Sequence, residues 1–380
     1  MGRFCYAPWT DMVIGQLYIS PCCFTGTDQN PRDVSTYPKN KQLAQFKENF
    51  LNGIEPEACF QCWETEAAGG FSRRMIINTE SNHQDGNDID YTVLENGVVD
   101  IEMNTGNICN LVCSICSSAS STKWVALEKK LQATNNEISV KFNETSAVPK
   151  RLTDSQYVQS ILKYKHLKRL TLIGGEPFLG QVAEHVDLLK NLNMAHFRSL
   201  EYITNGTIMP DPLIVEQWHR IPRLEINISV DGIGDAFEYL RYPGKWQDCL
   251  RAVDFYLQVR QDHPDVELCL MTTVSVLNVM ALPELMDWAM HNKIKVVLAP
   301  LVTPEYYGIR HIPENARPMI YDAWQGIEQL EPFIDFMKQH PGQTSHLADT
   351  KRYVEAMDKI NNKSFNALFP AYAKLLNITT

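Results

Sequence analysis

Residues 104–117 read NTGNICNLVCSICS and hold three cysteines, Cys109, Cys113 and Cys116, separated by three residues and then two. A β-rich run, VVDIEMN (98–104), leads in, and a Ser-rich stretch leads out towards a helix. Three thiolates on one short loop can hold a metal ion or an iron–sulfur cluster. A four-iron cluster needs a ligand on each iron, so three cysteines leave one iron open. Closed structural zinc sites take four protein ligands, whereas sites that do chemistry keep a position free. On these residues alone, a zinc site or three unrelated thiols is the alternative.

Outward from this loop, strands and helices alternate. After VVDIEMN, the runs LKRLTLIG (167–174), SLEYITNG (199–206), LEINISVDG (224–232), VELCLMTTVS (266–275) and IKVVLAP (294–300) read as strands. Between them, helices are expected over 120–132, 154–165 (N-capped by Asp154), 180–193, 212–220, 245–260 and 282–292. Val182, Val186 and Leu189 should share the core face of one helix, and Leu250, Val253 and Leu257 that of another. Six strands with intervening helices and continuous apolar runs suit a parallel sheet covered on both sides. The fold class is therefore α/β, a partial (β/α)6 TIM barrel, with functional residues expected at the C-terminal ends of the strands. Those ends carry Gly174-Gly175-Glu176-Pro177, Thr204-Asn205-Gly206-Thr207 and Ser229-Val230-Asp231-Gly232. Two adjacent glycines let a backbone approach a ligand closely, and the proline fixes the exit.

The first 80 residues carry a second cysteine group: Cys5, Cys22, Cys23, Cys59 and Cys62. FCYAPW reads as a short strand or turn, MVIGQLYIS as a hairpin arm, and residues 39–53 as a helix stopped by Gly53. Cys59-x-x-Cys62 supplies two ligands from one tight turn, and Cys5 and Cys22 can supply two more. Four thiolates close a zinc site or fully ligate a cluster. Cys22 is favoured over its neighbour Cys23. Cys249, in a helix, and Cys269, in an apolar strand, read as core residues.

Hydrophobic residues make up 44% of the 380 and charged residues 21%, which fits a globular chain of one large or two medium domains. A formal charge of −10 argues against non-specific nucleic-acid binding. No apolar run reaches the roughly 18 residues of a membrane helix, and the N-terminus has no signal-peptide core. A cytoplasmic location is expected, where clustered cysteines favour metal over disulfide.

Cys109-x-x-x-Cys113-x-x-Cys116 resembles the signature of the radical S-adenosylmethionine (radical SAM) superfamily, although Ile115 stands where the family usually has an aromatic residue. The resemblance implies a 4Fe-4S cluster whose open iron is chelated by SAM. It implies reductive cleavage to a 5′-deoxyadenosyl radical, which abstracts a hydrogen atom from substrate. Gly174, Gly175, Glu176 and Pro177 are similar to the family's GGEP motif, which binds the SAM amino group. Asn205 matches its TNG loop. Ser229, Asp231 and Arg241 become cofactor-binding candidates, and Asn278 a weaker one. On the residues alone, Asp231 is equally a turn-former and Arg241 equally a surface ion pair.

The N-terminal cysteines are similar to the twitch (short SPASM) module, although such modules often follow the core and this one precedes it. That likeness implies a second, auxiliary 4Fe-4S cluster, with zinc as the alternative. The expected division is 1–80 auxiliary module, 81–97 linker, 98–304 core and 305–380 capping helices. Tyr306, Tyr307, Arg310 and His311 are candidates for substrate contact. The family implies action on a peptide or protein substrate, with a flavodoxin- or ferredoxin-type electron donor. Dehydrogenation or epimerisation of a sugar-like small molecule comes second. The remote alternatives are electron transfer alone and a non-enzymatic zinc-binding interaction protein.

Overall fold

In the computed structural model of the chain, residues 4–15, 19–23, 25, 37, 39–67, 72–80, 97–135, 138, 158, 161–263, 265–340, 342 and 344–379 are described. The expected linker at 81–97 apart from Gly97, the polar insertion after residue 135 apart from Ile138, and most of the helix expected from Asp154 lie outside them. The strands are β1 (Asp11–Ile14), β2 (Ile19–Ser20), β3 (Asp100–Asn104), β4 (Arg169–Ile173), β5 (Ser199–Thr204), β6 (Arg223–Ser229), β7 (Val266–Val274) and β8 (Lys295–Pro300). They form an eight-stranded sheet in the order β2-β1-β3-β4-β5-β6-β7-β8. The fold is α/β. All six expected strands are present as β3–β8, and the N-terminal segment adds two more. Among the described residues, no helix is long and apolar enough to cross a membrane.

The chain divides into two compact units. The first comprises 1–106, 150–203 and 210–225. Here β1 pairs antiparallel with β2, as a hairpin arm should, but also parallel with β3, with Met12 opposite Ile101. The helix Lys41–Leu51 is N-capped by Asn40, whose side chain accepts from the amides of Gln42 and Leu43, and Gly53 turns the chain at φ 69°.

The expectation of continuous apolar strands is corrected in this unit. On one face, Ile101, Met103, Leu170, Leu172, Leu200 and Tyr202 are fully buried. The alternate positions are polar: Asp100 faces Arg169 in register, and Thr171 faces Glu201. The Arg169 guanidinium lies 3.2 Å from Glu201, 3.7 Å from Glu225 and 3.8 Å from Asp100. Period-two alternation thus keeps hydrocarbon on one face and an arginine-centred ion network on the other.

The helix Val182–Asn191 is likewise turned from the expected face. His185, Leu188 and Leu189 are its buried residues, and Val182 and Val186 are only half-buried. The reason is polar: the His185 Nε2 sits 2.7 Å from the Tyr202 hydroxyl, which also accepts from the Trp218 indole. A histidine so partnered can hold a core position.

In the second unit (107–149, 204–209 and 226–380), β7 and β8 pair in parallel over Cys269–Val274. The helix Trp246–Asp262 buries Cys249, Ala252, Val253 and Tyr256, so only Val253 of its expected apolar row is fully inside. The helices Thr122–Thr134 and Leu347–Asn361 share a hydrophobic cluster containing Val112, Trp124, Leu127, Leu131 and Met357. Cys249 and Cys269 are buried core thiols, as expected.

Burial pushes the His185 imidazole down to about 4 from its usual 6.5. Between those values the unfolded chain binds a proton that the folded chain refuses, so stability falls as pH drops from 6.5 to 4. The expected loss is about 3 kcal/mol. His185→Gln, which retains a group to pair with Tyr202, should remove that part of the acid slope in urea unfolding. Equal slopes in the two proteins would contradict it.

Candidate functional site

The cysteine loop of the second unit is held by its backbone. The Val112 and Ser114 amides donate to the carbonyls of Tyr242 (2.7 Å) and Leu240 (2.8 Å). The Ser121 hydroxyl and the Lys123 ammonium donate to the carbonyls of Leu111 and Asn110. Cys109 is buried, and Cys113 and Cys116 are half-buried. Nitrogen donors reach two of the sulfurs: the Leu111 amide (3.4 Å) and the Asn205 amide group (3.7 Å) at Cys109, and the Arg241 guanidinium (3.9 Å) at Cys113.

Each donor is itself fixed. Asn205 also donates to Asn110, which donates to Thr207, and Thr207 returns two hydrogen bonds to Asn205. Gly206 permits this turn, for a Cβ there would lie 2.5 Å from the Ile228 side chain. Arg241 pairs with Asp231 at 2.7 Å, and Asp231 accepts the Thr273 amide. Both the arginine and the aspartate are buried, so neither the surface-pair nor the simple turn-former alternative describes them. Burial pushes the Cys113 thiol well up and that of Cys116 up to about 11, while Arg241 pulls both back. Ser229 ends β6, two residues before Asp231, and is half-buried. Asn278 is buried and its amide bridges Ser275, Thr273 and Asp231, which holds the ends of β6 and β7 together.

In the first unit, the turn after β4 is built against the first residues beyond β3. Thr105 donates its amide to the Ile173 carbonyl (2.7 Å) and its hydroxyl to the carbonyls of Ile173 and Gly174. Gly174 and Gly175 have φ of 87° and 48°, and a Cβ on Gly174 would fall 2.0 Å from the Asn104 side chain. Glycine is therefore required at 174 on two counts. Glu176 is buried and accepts the Phe178 amide, and Pro177 follows it.

Also in the first unit, Cys5, Cys22, Cys59 and Cys62 line one cavity, together with Trp63 and Arg74. Cys23 does not line it; a hydrogen bond to the neighbouring Cys22 and burial push its thiol up, with the charges of Glu102 and Arg73 as lesser influences. All ten cysteines are free thiols. Burial raises the thiols of Cys5, Cys62 and Cys59, the last to about 12. Arg74, which sequence reasoning missed, ties the walls together. It grips Glu66 with two nitrogens, donates to the Phe4 carbonyl (2.8 Å) and lies over the Trp63 ring at 5.2 Å. The run SRR after Cys62 offered a cation but no hint of its partners.

The donor sets fit sulfur-ligated groups. One is a three-thiol loop with nitrogen donors aimed at sulfur, and the other is a four-thiol cavity with an arginine in its wall. Of the expected substrate contacts, Tyr307 and His311 are buried and Tyr306 stacks on Tyr353 at 4.2 Å, leaving Arg310 half-exposed over Phe336.

No protein-family model matches the chain, and no curated protein matches it. Among solved structures, native anSMEcpe with bound AdoMet is 13% identical at a TM-score of 0.41, over 64% of this chain and 63% of that one. The chain thus spans under two thirds of that protein's length. Streptococcus suis SuiB is 12% identical at 0.35, over 90% and 71%. SuiB bound to precursor peptide SuiA is 12% identical at 0.33, over 94% and 70%. Likeness of this degree does not define a family.

Two outcomes follow from the geometry. Arg241→Gln should weaken iron or zinc retention by the Cys109 loop about tenfold, as outer-shell changes do. Because each ligating thiol must lose its proton, retention should strengthen as pH rises from 7 towards 9. Chelator competition reads both effects; an unchanged half-point would contradict the role given to Arg241. Arg74→Ala should lower metal bound by the N-terminal cysteines, as elemental analysis of the variant in a Cys109→Ala background would report.

Proposed function

We propose that the chain is a radical SAM enzyme. The observation that carries the reading is the Cys109/Cys113/Cys116 loop, with nitrogen donors from Asn205 and from the Asp231-paired Arg241 aimed at its sulfurs. The GGEP turn, locked by Thr105 and Asn104 in a form only glycine adopts, supports it.

Cys109, Cys113 and Cys116 would hold a 4Fe-4S cluster with one open iron. Bound there, SAM would supply a 5′-deoxyadenosyl radical for hydrogen-atom abstraction. The chain's own residues do the rest. Arg241 offers a fixed positive charge, the right partner for a carboxylate and for thiolate sulfur. Gly174 and Gly175 expose backbone, and Glu176 offers a buried carboxylate for an ammonium group. Asn205, Ser229 and Asp231 complete the cofactor-binding set. Asp231 also fixes the guanidinium.

Cys5, Cys22, Cys59 and Cys62 would hold an auxiliary 4Fe-4S cluster that accepts or relays electrons, with Cys22 rather than Cys23 as ligand because it lines the cavity. The proposed division stays 1–80 auxiliary module of twitch or SPASM type, 81–97 linker, 98–304 core and 305–380 cap. A peptide or protein is the proposed substrate, oxidative modification the proposed reaction class, and a flavodoxin- or ferredoxin-type protein the proposed reductant. Ten free thiols suit a reducing compartment, so the cytoplasm is the proposed location.

Anaerobic reconstitution with iron and sulfide should load about eight irons per chain, four for each cluster. With SAM and dithionite, the loaded protein should release 5′-deoxyadenosine, and Cys113→Ala should release none. Iron confined to about four atoms, with turnover kept, would assign the N-terminal cysteines to zinc. No iron and no deoxyadenosine would overturn the proposal and leave a zinc-binding interaction protein.

A further inference from the structure

Glu305, His311 and His346 lie in the second unit, on three single turns of 3-10 helix (Glu305–Tyr307, Ile309–His311 and Thr344–His346). Their donor atoms all fall within 4.8 Å of one another. The Nε2 atoms of His311 and His346 each lie 3.9 Å from the same carboxylate oxygen, Oε1 of Glu305. The two rings meet edge to face, with centroids 4.6 Å apart. At 3.9 Å neither contact is a hydrogen bond. Charging both imidazoles would set two cations side by side, one of them buried, against one carboxylate.

We propose that this trio is a divalent-metal site of the zinc class, separate from both cysteine groups. Two imidazoles and a carboxylate are a donor set for borderline divalent metals, and zinc binds each at about 2.0–2.2 Å. Tetrahedral ligands at that reach sit about 3.4 Å apart, so each Glu305–histidine contact closes on an ion by shortening about half an ångström, and the widest spacing by at most about 1.4 Å. The other ring nitrogen of His346 lies 3.5 Å from the Asp349 carboxylate, the arrangement that orients a metal-bound histidine.

The turns are already fixed relative to one another. Thr350 donates its hydroxyl to the carbonyls of Tyr306 and His346, and Tyr306 stacks on Tyr353 at an interplanar angle of 12°. Gly308 lets the first two turns meet: a Cβ there would lie 3.1 Å from the Glu305 carbonyl and 3.7 Å from the His311 ring. His311 is buried, whereas the Glu305 side chain is 62% exposed, so one side of the site opens to solvent. Three protein ligands leave a fourth position there for water or an exogenous donor. The metal would clamp the segment after β8 to the start of the helix Leu347–Asn361.

The test is zinc bound by the full-length, iron-loaded protein, with its X-ray absorption at the zinc edge. One zinc per chain is expected, with a nitrogen/oxygen first shell and imidazole outer-shell scattering. His346→Ala and Glu305→Gln alter exposed or half-exposed side chains. Each should lower zinc by one atom per chain with iron unchanged, and Asp349→Asn should weaken zinc about tenfold. Sulfur in the first shell would assign the zinc to cysteines and overturn the site. So would a zinc count unmoved in both His346→Ala and Glu305→Gln, or no zinc taken up by the wild-type protein at micromolar zinc.

Discussion

The contact between the Arg241 guanidinium and the Cys113 sulfur is the interaction on which the functional region depends. Burying thiols close together raises the cost of ionising any of them, and here burial drives Cys113 and Cys116 upward. A cation beside them offsets that cost only if it cannot swing away. Asp231 holds the guanidinium, the Thr273 amide holds Asp231, and Asn278 ties the two strand ends that carry them. The partner carboxylate also reduces the penalty of burying the arginine itself. The result is a loop in which burial opposes ionisation of Cys113 and Cys116 and a fixed cation offsets part of that cost.

Glycine plays the complementary part. At 174 and 206 a side chain would strike Asn104 or Ile228, so two turns at strand ends are fixed by what is missing. Such positions cost little in the fold because the strands before them bury complete apolar faces, from Leu170 and Leu172 to Leu200 and Tyr202. Rigid strands and exposed turn backbone are the combination that lets strand ends of an α/β sheet carry chemistry.

Much of this was legible in the sequence because the signals are local. VVDIEMN, LKRLTLIG and SLEYITNG announce their strands, and NICNLVCSIC and GGEP announce their loops. What was hidden depends on distant partners. Nothing in MVI reveals that β1 pairs with β3, nearly ninety residues on. The apolar faces of two helices were misjudged because His185 and Tyr256 take inner positions, the first through its bond to Tyr202. The strands read as continuous hydrocarbon, yet Arg169 gathers acids from three neighbouring strands on one face. Glu305 and His346 carry no motif at all, since forty residues separate them and only the Tyr306–Tyr353 stacking and the Thr350 bonds bring their turns together.

Electron paramagnetic resonance of the anaerobically reduced, iron-loaded protein, recorded with and without SAM, tests the central claim most directly. If the three-thiol loop holds a cluster with an open iron, SAM must change the cluster's signal, and the change must vanish in Cys113→Ala while any auxiliary signal stays. A spectrum indifferent to SAM in the wild-type protein would contradict an open iron at this loop.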